Sequence, residues 1–190
     1  MQTERQTQII ESSMELIANK GIQGFTIKNL SQKIGISEPA IYRHFENKTD
    51  ILIHILDNFK EMGEMMTLIL VDNNDTVIEK IEFMFSKMLD IFTDQPAIIS
   101  VIFSEEIFKN EDILKHKIIE IQNIHQSNIE KIITKGQADG NIKKNIDKNS
   151  LALIFMGSLR LLVKRWDLNG RNCNLKEEGK KLIQTLKELL

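Results

Sequence analysis

Apolar and polar residues alternate along this chain with the period of an α-helix. Over most of the 190 residues, apolar side chains recur three and four positions apart, which places them on one helical face. This spacing predicts seven longer helices, at about residues 4–20, 48–71, 75–92, 96–108, 111–135, 147–166 and 175–189. Two short helices are predicted between the first two of these, so we expect an all-α protein of about nine helices.

The two short helices carry their own start and stop signals. Thr26 is an N-cap, because its hydroxyl can accept a hydrogen bond from a first-turn N–H, and Gly35 tolerates the left-handed conformation that ends a helix. Ser37 can cap the second helix, and Pro39 falls in its first turn, where a missing N–H costs nothing. The segment therefore predicts two helices joined by a tight turn.

The second short helix has an apolar face and a polar face. Ile36, Ile41 and Phe45 point inward at roughly helical spacing, which leaves Tyr42 and Arg43 among the outward side chains. A helix of about two turns is not stable alone, so its neighbours must hold it. An exposed face of this kind is typical of the reading helix of a helix-turn-helix, which enters the DNA major groove. The alternative is a three-helix unit that serves only for packing.

This segment resembles the DNA-binding segment of the TetR family of transcriptional regulators. The resemblance is carried by residues 24–48, which read GFTIKNLSQKIGISEPAIYRHFENK. The spacing of Tyr42, His44, Phe45 and Lys48 is typical of that family. The resemblance implies an N-terminal three-helix helix-turn-helix head for DNA binding at residues 1–48. It also implies a C-terminal helical domain for effector binding and dimerisation at residues 49–190.

The resemblance also implies which side chains contact DNA. Four positions would hold the DNA backbone, namely Thr26, Tyr42, His44 and Lys48. Contacts of this kind set the register of the protein on the duplex but carry no sequence information. The bases would be read from the two short helices, by Lys28, Glu38, Pro39, Ala40 and Arg43. Ser37, at the start of the second short helix, completes the set of candidate DNA-binding residues.

The overall charge does not indicate a nucleic-acid-binding protein. The formal net charge is −2 and the sequence pI is about 6.1. Affinity for phosphate must therefore come from the local placement of a few cations and helix N-termini, and not from the charge of the whole chain.

The middle helices are rich in aromatic and methionine side chains, where the resemblance implies an effector cavity. The candidate ligand-binding residues are Phe83, Met84, Met88, Phe92, Phe103, His125 and Phe155. Such stripes are more often core than pocket. A histidine placed like His125, on the apolar stripe of its helix, is more often a satisfied core histidine than a polar anchor for a ligand. Apolar walls with few polar groups would suit a hydrophobic or amphipathic small molecule.

The last two predicted helices indicate a homodimer. The eighth, at about 147–166, is apolar on nearly all sides, and such a helix is buried on both sides. The ninth, at about 175–189, carries apolar residues at alternating spacings of four and three, a seam for helix packing. We expect both helices to pack against a second copy of the chain through the same patch. The alternative is that both close the core of one monomer.

Several classes of protein are disfavoured. A single cysteine, Cys173, fits a reducing compartment, and the polar N-terminal residues contain no apolar signal core. The most apolar stretch, 151–163, is too short to span a bilayer, so we expect a cytoplasmic protein with no membrane partner. Metal-ligand spacing and phosphate-binding or nucleophile motifs are absent, so we expect no enzyme, cofactor or metal.

The sequence therefore predicts a homodimeric, ligand-responsive transcriptional regulator, expected to be a repressor. It would bind a palindromic operator in double-stranded DNA and be released by a small hydrophobic or amphipathic effector. The first alternative is a dimeric DNA-binding protein without an effector, in an architectural or partner-binding role. The second is a helical interaction protein that binds no operator.

Overall fold

The computed structural model describes residues 3–71, 75–103 and 111–189, and these residues form nine helices and no strand. The helices are α1 (Glu4–Gly24), α2 (Ile27–Ile34), α3 (Glu38–Tyr42), α4 (Lys48–Val71), α5 (Val77–Asp94), α6 (Ala97–Ile102), α7 (Asp112–Ala138), α8 (Lys148–Leu168) and α9 (Leu175–Leu189). The predicted all-α fold is confirmed. Most of the polar break predicted at 72–75, and the predicted helical residues 104–108, lie outside the described residues.

Local signals in the sequence account for most of the helix ends in the N-terminal part. The Thr26 hydroxyl accepts a hydrogen bond from the Asn29 N–H at 3.1 Å, and Gly35 ends α2 with a φ of +76°. At the start of α4, the Asn47 side chain accepts from the Asp50 N–H at 2.9 Å. Gly21 adopts a φ of +67° and breaks α1 there, although the helical segment resumes and continues to Gly24. Thr26 and Gly35 thus confirm the start and stop signals predicted for α2.

Two compact units make up the chain. The first contains Met1–Glu61 and Pro96–Ile119, and the second contains Met62–Gln95 and Glu120–Leu190. Helices α4 and α7 each contribute residues to both units. The predicted domains divide the chain once, at residue 48, whereas each of these units combines two separate segments. The segment that contains α6 belongs to the N-terminal unit because α6 packs on α1. Helical periodicity identifies the apolar face of α6 but not the helix that covers it.

The core of the first unit consists of aliphatic and aromatic side chains from its helices. Each such side chain removed from water stabilises the fold by about 1.5–3 kcal/mol. The most buried are Ile9, Ile10, Ile17, Phe25, Leu30, Ile41, Phe45, Ile51, Leu56, Val101 and Leu114. This core holds the short helices α2 and α3 in place, since neither is long enough to be stable alone.

The core of the second unit joins α5, α7, α8 and α9. Phe85 of α5 meets Phe155 of α8 edge to face, with ring centroids 6.0 Å apart and an interplanar angle of 77°. Helix α9 packs mainly on α5, where Gly179 lies so close to Leu89 that no side chain fits between them. Within the described residues, much of the predicted seam of α9 is buried against the same chain, including Leu175, Gly179 and Leu186.

Candidate nucleic-acid interface and effector cavity

Helix α3 presents one face to the core and the other to solvent. Ile41 is fully buried, whereas Tyr42 is 50% exposed and Arg43, directly after the helix, is exposed. The seven candidate DNA-binding residues that are exposed are Thr26, Lys28, Ser37, Glu38, Pro39, Tyr42 and Arg43. The other three, Ala40, His44 and Lys48, are half-buried. All ten lie in the first unit, at the start of α2, along α3 and at the start of α4.

Ser37 does not cap α3 through its side chain, so the expected side-chain cap is wrong. The reason lies in the backbone of the first turn. Pro39 has no N–H to offer, and the Ala40 N–H donates to the Ser37 carbonyl at 2.9 Å instead. The Ser37 side chain is exposed at the start of α3 and is not used for capping.

Lys48 is held in place at the start of α4. Its Nζ donates to the Ile22 carbonyl at 3.5 Å and lies 5.3 Å from the centroid of the Phe25 ring. Partial burial lowers the pKa of Lys48, and the nearby Glu111 carboxylate acts in the opposite direction. A cation fixed in this way beside a helix N-terminus is suited to contact a DNA phosphate at a defined position.

We expect Lys48→Ala to weaken operator binding about equally for all sequences. Removing one phosphate contact should lower the slope of log affinity against log salt concentration by about one. The matched control is Lys33→Ala, because Lys33 lies in the last turn of α2 and pairs with Glu15 at 2.8 Å. Operator titrations at several salt concentrations check the prediction, and an unchanged slope for Lys48→Ala would contradict it.

The second unit contains a cavity of about 80 Å³ with mostly apolar walls. Helices α4, α5, α7 and α8 each contribute to it. Its apolar lining residues are Met66, Ile81, Met84, Phe85, Met88, Ile129, Phe155, Met156 and Leu159. The remaining lining residues are Gly63, His125 and Asn128. The chemistry of these walls favours an apolar occupant with at most one or two hydrogen-bonding groups.

Four of the seven candidate ligand-binding residues line this cavity, namely Met84, Met88, His125 and Phe155. Three do not. Phe83 is half-buried, and the Lys87 ammonium lies 5.6 Å from the centroid of its ring. Phe92 is buried elsewhere on α5. Phe103 follows α6 and belongs to the first unit. Sequence reasoning missed the other eight lining residues, among them Gly63, Met66 and Asn128, because composition does not show which helix faces come together.

His125 supplies a polar group to the apolar cavity. Its Nε2 atom is not accessible to solvent. Burial lowers the pKa of His125, and the charge of Glu64 acts against this shift to a smaller extent. The neutral imidazole is therefore favoured, and it can donate one hydrogen bond and accept another.

We expect His125 to make the stability of the protein depend on pH. Its pKa is lower in the folded state than in the unfolded state, so the unfolded chain binds the proton more tightly. The free energy of unfolding should therefore fall as the pH drops below about 6.5, and His125→Gln should flatten that fall. Denaturant titrations between pH 5 and 8 check this, with His116→Gln, an exposed histidine of the same helix, as the control.

Two other kinds of site are not found in the part of the chain that the structure describes. No three side chains among its His, Cys, Asp and Glu residues are grouped so that they could hold a metal ion. None of the described helices combines the length and apolar character that crossing a lipid bilayer requires.

The fold and the exposed α3 define a helix-turn-helix DNA-binding protein. Residues 9–55 match the family described as "Bacterial regulatory proteins, tetR family". Residues 74–190 match the "MAATS-type transcriptional repressor, C-terminal region", so the two matches together cover most of the sequence. The chain belongs to the TetR family of transcriptional regulators. This confirms the resemblance and the predicted class of function, and the second match supports a repressor role.

Known proteins of this fold include regulators of fatty-acid metabolism. The fatty acid metabolism regulator protein of Bacillus subtilis (strain 168) is 26% identical over 182 residues, covering 94% of this chain and 92% of that protein. The structure of the fatty acid degradation regulator FadR from Bacillus halodurans has a TM-score of 0.87 at 19% identity, covering 98% of this chain and 96% of that chain. The structure of FadR from Bacillus subtilis in complex with stearoyl-CoA has a TM-score of 0.82 at 24% identity, covering 95% and 96%.

Proposed function

We propose that this protein is a homodimeric, ligand-responsive repressor that acts on DNA in the cytoplasm. It binds an operator with two similar half-sites and is released by an amphipathic effector with a long apolar chain. The mostly apolar cavity of the second unit is the observation that supports this proposal most strongly. The similar Bacillus subtilis FadR structure, which contains stearoyl-CoA, supports the same class of effector.

Each subunit would place α3 in the major groove of one half-site. Arg43 is suited to pair with guanine, Glu38 to accept from cytosine, and Pro39 with Ala40 to contact a thymine methyl. Thr26, Tyr42, His44 and Lys48 would hold the adjacent phosphates. Two copies related by a two-fold axis require a palindromic operator, with half-site centres about one helical turn or a multiple apart.

Apolar side chains on the surface of α8 support dimerisation. Leu153, Ile154, Leu161 and Leu168 are between 52% and 75% exposed, which is unusual for large apolar residues on one helix. Leu161 also lines a groove that α8 forms with α9, together with Trp166 and Leu182. A second copy that packed its α8 and α9 against this patch would bury all of these side chains through an isologous interface.

The size of the cavity suggests how the effector acts. Sites for small molecules usually measure about 300–1,000 Å³, which is much larger than the 80 Å³ present here. An effector chain must therefore displace the walls, and the methionine side chains among them adapt readily. One wall belongs to α4, the continuous helix that begins at Lys48. The effector acts by its higher affinity for the widened state, in which operator binding is weaker.

The small size of the cavity, as distinct from its apolar lining, supports a second candidate function. A dimeric regulator of this family that lacks a small-molecule effector would have a closed centre of this kind. It would respond to a protein partner, or to none. The two candidates differ in one property, which is the release of operator DNA by a ligand.

Fluorescence anisotropy of a labelled operator separates these candidates. Stearoyl-CoA is the first compound to add, and acetyl-CoA is the control, because it has the same headgroup without the long chain. We expect stearoyl-CoA to release the operator and acetyl-CoA to leave it bound. If neither compound nor a series of free fatty acids releases it, the second candidate is favoured.

A further inference from the structure

The imidazole of His125 packs directly against the backbone of α4. A Cβ atom added at Gly63 would lie well inside contact distance of the His125 Nε2, and 3.2 and 3.4 Å from its Cε1 and Cδ2. The ring therefore occupies the space that a side chain at position 63 would fill. Both residues line the cavity, and both belong to the second unit.

Other helical glycines of the second unit differ from Gly63. A Cβ added at Gly157 in α8 would meet nothing within 4 Å. A Cβ at Gly136 would meet the aliphatic side chains of Val77 and Ile142 at 2.9–3.0 Å, away from the cavity lining. A glycine inside a helix destabilises it relative to alanine, and close packing that leaves no room for a side chain can account for its presence. At Gly63 the space for a side chain is occupied by the His125 ring, which also lines the cavity.

We propose that His125 is the residue through which an occupant of the cavity acts on α4. No side chain lies between its ring and the α4 backbone at Gly63, so a displacement of the ring is transmitted directly to the helix. Close-packed interiors pass on such displacements because they cannot absorb them by compression. His125 is therefore a positioning residue for α4. This inference rests on the proposed function of the cavity.

Gly63→Ala tests this inference without any effector. The added methyl group separates the His125 ring from α4, as an occupant of the cavity would. We expect the effector-free variant to bind its operator at least tenfold more weakly than the wild type. In the double variant Gly63→Ala/His125→Ala, the smaller side chain makes room for the methyl group, and affinity should return to within threefold of the wild type.

Two further variants keep the test decisive. Gly136→Ala inserts the same methyl group into the aliphatic core of the same unit, and its operator affinity should stay within threefold of the wild type. His125→Trp enlarges the ring and leaves α4 unchanged, and it should weaken operator binding as Gly63→Ala does. Circular dichroism and thermal unfolding show whether each variant is folded, and only folded variants are compared.

The possible results separate this inference from the proposed function. A folded Gly63→Ala variant with wild-type affinity would overturn the inference, and so would a double variant that remains as weak as the single one. A wild-type protein that selects no operator would instead contradict the proposed function. A wild-type protein that binds an operator but does not respond to stearoyl-CoA would contradict only the proposed effector.

Discussion

Leu161→Glu should convert the proposed dimer into monomers and lower operator affinity by at least about 100-fold. Leu161 is 59% exposed on α8 and lines the groove with α9. In an isologous interface the substitution places two carboxylates in an apolar patch, where burial of each unpaired charge costs several kcal/mol. A loss of about 2.8 kcal/mol already corresponds to 100-fold, and a monomer can contact only one half-site.

Sedimentation velocity and operator titration check this prediction on the same samples. The matched control is Ile119→Glu, because Ile119 is 43% exposed on α7 and belongs to the first unit, whereas α8 and α9 belong to the second. The control should sediment and bind as the wild type does. A Leu161→Glu protein that remains dimeric would show that the interface lies elsewhere.

Phe155→Ala should lower the free energy of unfolding by about 3–5 kcal/mol, which is the usual range for a buried phenylalanine. Phe155 is 1% exposed and belongs to the cluster that joins four helices of the second unit. The substitution also removes the edge-to-face contact with Phe85, and such pairs contribute about 0.5–1.5 kcal/mol. Phe155→Leu keeps most of the volume and should cost much less.

Denaturant unfolding at a fixed protein concentration measures these losses, since dimer stability depends on concentration. Phe83→Ala is the control, because Phe83 is half-buried and lies outside the cavity. We expect a loss for Phe83→Ala that is less than half as large. Equal losses for the two variants would contradict the assignment of Phe155 to the core and of Phe83 to its edge.

The helix-turn-helix could be read from the sequence because its determinants are local. A cap such as Thr26 or Asn47 and a left-handed glycine such as Gly35 act on backbone atoms a few residues away. Such short-range determinants can therefore be recognised from the amino-acid sequence alone. The overall charge of −2 did not indicate DNA binding, because the positions of a few cations such as Lys48 matter more than their number.

The cavity was predicted less well, because it depends on which helix faces meet. Met84 and Met88 are one helical turn apart and line the cavity, whereas Phe83, next to Met84, is turned away from it by about 100°. The place of Gly63 in the cavity lining could not be predicted, because the His125 ring that packs on it is distant in the sequence. The seam of α9 was correctly identified as a packing surface, but its partner within the chain, α5, was not.

Selection of bound sequences from random duplex DNA is the most direct test of operator recognition by two copies of this chain. The full-length wild-type protein is used near physiological salt, where non-specific binding to phosphates is weak. We predict enrichment of an inverted repeat with half-site centres about ten base pairs or a multiple apart. Failure of the folded protein to enrich any sequence, or enrichment of a single unrepeated site, would contradict palindromic operator binding by a homodimer.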